Sequence, residues 1–192
     1  MMIFETIVTS MNDQGEVHVA PFGIQRLGET VIISPYKPSL TLSNIIATQR
    51  AVLSLCDDVR VFAGALTDRQ AWSLLPAEQL LGYRLADCLA HEELTLLRVE
   101  EDAVRPRLHM QVRHSVQHQA FAGFNRAQAA VIELAVLVSR LTRLPKEKVQ
   151  SERQYLQIAI DKTAGERELQ AWAWLTDKID NHYAAQDGSN LA

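Results

Sequence analysis

Thr30-Val31-Ile32-Ile33-Ser34-Pro35-Tyr36-Lys37-Pro38-Ser39-Leu40-Thr41-Leu42-Ser43-Asn44 is the stretch on which the reading of this chain turns. It opens as an apolar, β-branched run, the composition of a strand, and Pro35 closes it because proline gives a sheet no N–H. Residues from about Thr41 to Thr48 then read as a short helix. Upstream, Val17 to Pro21 sets Val17 and Val19 against His18 and Ala20, until Phe22-Gly23 breaks the alternation. Two strand-like runs therefore close on proline, and the second gives way to hydroxyls, a lysine and an asparagine.

Working outward, Phe4 to Thr9 is a further strand that stops at the turn cluster Asn12-Asp13-Gln14-Gly15. Gln25 to Glu29, with Gly28, reads as a hairpin, and Ala51 to Leu55 as another short strand. Leu94 to Val99 and Leu108 to Val112 add two more, the last with Leu108, Met110 and Val112 on one face. Val59 to Leu66 has no assignable period. Arg69 to Asp87 reads as a long connection with a helical turn near Pro76-Ala77-Glu78. Short, closely spaced strands predict a small antiparallel barrel.

After Gly123 the period becomes helical. Asn125 caps a first helix with Gln128 as its capping-box partner, and Ala127, Ala130, Val131, Leu134, Val138 and Leu141 form its apolar face. Pro145 begins a second, with Val149, Tyr155, Leu156 and Ile160. Thr163 to Glu166 is a capping box for a third, with Leu169, Trp172, Ala173, Thr176 and Ile179 along one side, and Gln186 to Ala192 is a frayed tail. The fold class is α+β: a β barrel over 1–122 and a three-helix domain over 123–192.

The 192 residues, 47% hydrophobic and 22% charged, suffice for one core with an appendage. A net charge of -4 argues against nucleic acid and anionic membrane as partners. No apolar run reaches the roughly 20 residues that span a bilayer. Met1-Met2-Ile3-Phe4-Glu5 has no basic region before an apolar block, so no secretory signal is expected. Cys56 and Cys88 have neither disulfide-framework nor metal spacing, as suits buried thiols in the cytoplasm.

A phosphate monoester requires convergent donors: backbone N–H groups, hydroxyls and a cation. Lys37, Ser39, Thr41, Ser43 and Asn44 supply these types together, where a helix N-terminus would add its N–H groups. Pro21, Phe22 and Gly23 supply a bend, a ring and a bare backbone that lets a planar group approach. Phosphate at one end and a flat ring at the other describes a nucleotide or a flavin; the same residues equally describe a turn and a helix cap. Neither a dinucleotide fingerprint nor a P-loop is present. His109, His114 and His118 fit an exposed strand face and loop better than a metal site, so no metal is expected. Glu133 within its apolar run reads as solvent-facing or as an acid–base carboxylate, and Asp57-Asp58 as a helix cap. Trp172 and Trp174 point to different helix faces, one of them core.

The whole chain resembles the domain of unknown function 447 family, within the FMN-binding split-barrel superfamily. The resemblance rests on Phe4-Glu5-Thr6-Ile7-Val8-Thr9, Ala20-Pro21-Phe22-Gly23-Ile24, Ser39-Leu40-Thr41-Leu42-Ser43-Asn44, Phe121-Ala122-Gly123-Phe124-Asn125-Arg126-Ala127, Ala130-Val131-Ile132-Glu133 and Lys162-Thr163-Ala164-Gly165-Glu166-Arg167-Glu168, in that order. It implies a split barrel, a helical C-terminal domain and a homodimer with FMN near the subunit interface. The more distant similarity to short-chain flavin reductases implies an FMN phosphate on Lys37-Pro38-Ser39-Leu40-Thr41, with Ala20 to Ile24 beside the ring. Leu42 stands where the family usually has an aromatic, and Phe22 where methionine is common. The expected cofactor set is thus Pro21, Phe22, Gly23, Tyr36, Lys37, Ser39, Thr41 and Asn44, with Asn125 and Arg126 facing a substrate. The function that follows is an FMN-binding oxidoreductase of the flavin-reductase kind, with NAD(P)H or another electron donor. A non-enzymatic dimeric split-barrel module, or a flavin carrier or sensor, is the alternative.

Overall fold

Asn12 reverses the chain where its turn chemistry places it. Its Oδ1 accepts from the N–H groups of Gln14 (3.0 Å) and Glu16 (2.9 Å), and Gly15 takes φ +86°. In the computed structural model, which describes residues 2–69 and 71–189, this turn joins β1 (Ile3–Met11) to β2 (Val17–Leu27). Phe22-Gly23 does not end β2. The strand pairs with β3 (Thr30–Ile33) only from Gln25 onward, so Pro21 sits where a single edge is paired.

β4 (Arg50–Leu55), β7 (Ala90–Glu100) and β8 (Arg107–Gln117) complete a closed antiparallel barrel in the order β1-β2-β3-β8-β7-β4. β7 and β8 are longer than their alternation suggests, because register shifts at Glu93/Leu94 and Leu96/Arg98 interrupt the two-residue period. Val8, Ile24, Val31, Leu53, Leu108 and Met110 meet inside, joined by Ile45 from α1 (Leu40–Thr48). The region from Arg69 to Asp87 forms no helical turn among its described residues. β5 (Leu74–Pro76) pairs with β6 (Tyr83–Leu85) as a hairpin instead, and Leu85 N–H donates to Ser54 Oγ on β4 (3.2 Å).

The chain forms two compact units, Met1–Asp57 with Ala71–Phe121 and Asp58–Gln70 with Ala122–Ala192. The second is helical. Val59 to Leu66, unassigned by period, contains α2 (Arg60–Ala65), and Asp58 Oδ1 accepts from Arg60 N–H (3.1 Å). Val59 and Ala63 share a core with α3 (Arg126–Val138), α4 (Lys146–Thr163) and α5 (Glu166–Ser189).

The caps differ from expectation in detail. Asn125 Oδ1 accepts from Ala127 and Gln128 N–H (2.7 and 3.4 Å), but the Gln128 amide turns to Glu168 (3.3 Å). Glu168 is committed to Gly165 N–H (2.9 Å), so that box is one of Gly165 with Glu168 rather than Thr163 with Glu166. Pro145 is the N-cap of α4, not its first residue. Tyr155 (74% exposed) and Leu169 (53%) face solvent; Ala171, Trp172, Leu175 and Ile179 make the buried stripe of α5. Trp172 is core, and Trp174 lies under the Arg69 guanidinium at 4.8 Å. α5 runs through Ser189, so the expected frayed tail falls on the last turn of that helix and, for 190–192, outside the described residues. No described helix is long and apolar enough to cross a membrane.

Candidate functional site

Ser39 starts α1 in extended conformation, and its Oγ accepts from Leu42 N–H (3.3 Å). Helix geometry leaves the N–H groups of Leu40 and Thr41 without intrahelical acceptors. The first turn holds no acidic residue, so its positive end is available to an anion. Thr41 is 1% exposed, yet its Oγ1 has no partner among the described residues. An unpaired buried hydroxyl costs about 1–3 kcal/mol, which a bound anion or water would recover. Asn44 is also buried; its Nδ2 donates to Ser10 Oγ (3.1 Å), tying α1 to β1. Lys37 stands before the helix but is engaged: Nζ donates to Asp102 O (3.0 Å) and meets Glu101 Oε2 (3.4 Å).

Phe22 turns into the barrel and packs on its core, as does Leu42. Gly23 borders a cavity of about 360 Å³ together with Ile3, Gln25, Ser34, Glu100, Arg105 and Arg107. A Cβ on Gly23 would lie 2.9 Å from Ile3 Cγ2 and 3.3 Å from Glu5 Oε1, so its bare backbone already makes room for the adjoining strand. Tyr36 is exposed at the end of β3, with the Arg105 guanidinium 4.8 Å from its ring centroid; Arg105 Nε donates to Ser34 O (2.9 Å). Pro21 is half-buried opposite Ile7. In the second unit, Asn125 spends both ends of its amide on structure, since Nδ2 donates to Thr163 O (3.0 Å), while Arg126 is exposed.

The family of proteins of unknown function DUF447 matches this chain twice, its N-terminal domain over residues 4–119 and its second model over 125–177. The chain belongs to the DUF447 family. The DUF447 fold here is similar to the crystal structure of an FMN-bound family member from Methanosarcina mazei, at TM-score 0.78 and 17% identity over 92% of this chain and 94% of that one. The 2-nitrobenzoate 2-nitroreductase of Pseudomonas fluorescens is similar over 59% of this chain and 64% of its own, at TM-score 0.53 and 20% identity. An NADH:FAD oxidoreductase of Streptomyces globisporus is similar over 59% and 70%, at TM-score 0.51 and 16% identity. At such identities the likeness is one of fold. No curated protein matches the sequence.

The DUF447 chain also holds a polar cluster that its sequence did not announce. Glu93 and His91 are fully buried, and the Glu93 carboxylate accepts from the N–H groups of Glu78 (2.6 Å), Gln79 (3.0 Å) and Leu80 (2.5 Å) in the β5–β6 turn. Burial alone would raise the Glu93 pKa, but the Leu80, Glu78 and Gln79 N–H groups and His91 outweigh it and hold it below the usual carboxylate range. His109, expected on an exposed face, is 7% exposed and lies 3.3 Å from Glu100 Oε2. Glu133, by contrast, faces solvent. Among the described residues no group of three His, Cys, Asp or Glu could hold a metal ion.

Proposed function

We propose that this DUF447 protein binds FMN in its barrel unit and acts as a flavin-dependent oxidoreductase, as a cytoplasmic homodimer. The observation that carries the reading is the orphaned Thr41 hydroxyl, buried beside a helix N-terminus free of acidic residues. That donor set fits a phosphate monoester: Ser39, Thr41 and the first N–H groups of α1 would hold it, with Lys37 adding positive charge from the preceding loop. Asn44 holds α1 in register through Ser10. Pro21, Gly23 and Tyr36 would border the ring and ribityl chain, with Phe22 bracing them from the barrel interior. FMN, when bound, supplies the electron transfer; the chain supplies its placement and surroundings. The likeness to an NADH:FAD oxidoreductase makes a nicotinamide nucleotide the first electron donor to try.

Purified protein should bind FMN with quenched flavin fluorescence, and Ser39→Ala with Thr41→Ala should weaken FMN far more than riboflavin. Absence of binding at saturating FMN, or equal weakening of both ligands, would reject the site. Two observations favour a non-catalytic module or carrier: Lys37 is already paired, and Phe22 faces the core. FMN-dependent NAD(P)H consumption distinguishes the two readings, and sedimentation reports the dimer.

A further inference from the structure

Glu93, His91 and His118 form a hydrogen-bonded file from a buried carboxylate to the end of β8, and the flavin reading makes no use of it. With three backbone N–H groups converging on it, the Glu93 carboxylate is an ionised acceptor. His91 Nε2 lies 3.3 Å from Glu93 Oε1, so that ring nitrogen carries the proton. In the Nε2–H tautomer Nδ1 is then an acceptor, and His118 Nε2 stands 2.8 Å from it. His118 must donate at that contact, which leaves its own Nδ1 as the basic nitrogen. The two rings are coplanar end to end, 4° from parallel with centroids 5.1 Å apart, as an in-line N–H···N bond between them requires, which fixes their orientation. Satisfying Glu93 requires nothing beyond His91; the third member carries the file on to a half-exposed position.

We propose that His118 is a general acid–base site, with Glu93 and His91 as positioning residues that decide which of its ring nitrogens holds a proton and which takes one. The ligand class is a molecule with an O–H or N–H that ionises during its reaction. The ligand gives its proton to His118 Nδ1, leaving an anion and an imidazolium. The imidazolium keeps its Nε2–H on His91, whose own Nε2–H stays on the Glu93 carboxylate. Return of the proton to the product restores the file, and no electrons move. This inference does not rest on flavin binding.

The surroundings suit a resting base. Burial, with the Arg84 charge, holds the His118 pKa below the ordinary imidazole value against the pull of Glu78. The other groups that face the file are few. His114 of β8 has its ring 6.3 Å from His91 and is held by Glu78 and Gln79 of the β5–β6 turn (3.1 Å each). Asp87, past β6, takes the Gln119 amide (3.2 Å), and β4 presents the uncharged Ser54 opposite His91.

A ¹⁵N-histidine NMR titration of the wild-type chain tests this, with His118→Gln for assignment. At about pH 7.5 both His91 and His118 should be Nε2–H tautomers, and acidification should protonate His118 at Nδ1. A His118 ring in the Nδ1–H form, or in the mixture of free imidazole, overturns the proposal. Diethyl pyrocarbonate, which acylates unprotonated imidazole nitrogen, should label His118 several-fold more slowly in Glu93→Gln. Equal rates in folded protein also overturn it; where Glu93→Gln does not fold, the wild-type tautomers decide.

Discussion

Thr41 is in conflict with itself until something binds. Its hydroxyl is buried and unpaired, so Thr41→Val, nearly the same shape, should raise the melting temperature of the ligand-free protein by the equivalent of about 1 kcal/mol. The same change should weaken FMN about 10–100-fold, since a hydrogen bond to a charged group is worth about 1.5–3 kcal/mol. Riboflavin affinity should not move, and calorimetric titration with both ligands checks the pair. The cap at Ser39 was legible in the sequence because short hydroxyl side chains satisfy the first N–H groups of a helix. The partners of Lys37 were not, because Glu101 and Asp102 reach it from the far side of the barrel's connectivity.

Among the elements, the β5–β6 hairpin depends on one side chain. Glu93→Gln replaces a charged acceptor for three consecutive N–H groups and should cost about 2 kcal/mol or more. Amide exchange at Glu78, Gln79 and Leu80 should accelerate before that of the barrel core, as should proteolysis between Ala77 and Gly82. Acid should act in the same direction. Glu93 has a lowered folded pKa, so its contribution is complete above the usual carboxylate range and is lost as pH falls through the folded value. His118 and His18 are lowered too, each by burial, so stability begins to decline once pH drops below about 6.5, and His118→Gln should reduce that upper stage without abolishing it in urea titrations at several pH values.

These elements also mark how far the sequence could be read. Strands with apolar, β-branched composition, such as β1 and β3, and helices with a continuous apolar stripe, such as α3, were found close to their ends. β7 and β8 were shortened by the register shifts in their pairing, and β5 and β6 were missed because three-residue strands hold too little pattern. α2 escaped for the same reason. His91 and Glu93 were passed over because polar residues at alternate strand positions ordinarily mean a solvated face; only the tertiary fold buries them.

For the molecule, each unit has its own core and should fail separately at its own centre. Leu53→Ala in the barrel and Leu134→Ala in the helical unit should each cost about 2–5 kcal/mol, both side chains being fully buried. Trp172 belongs to the helical core, so its fluorescence should report the Leu134 change, and far-UV circular dichroism at the strand bands the Leu53 change.

The helix α2 is supplied from within the part of the chain that otherwise builds the barrel. A gene divided at the Gly123 codon would therefore give neither product whole. The first would carry Val59 and Ala63 with no hydrophobic neighbours from α3 to α5, and the second would lack the segment that fills that place. Soluble material should come from joint expression of the halves, or from a second half fused to a copy of 58–69, and not from either half alone.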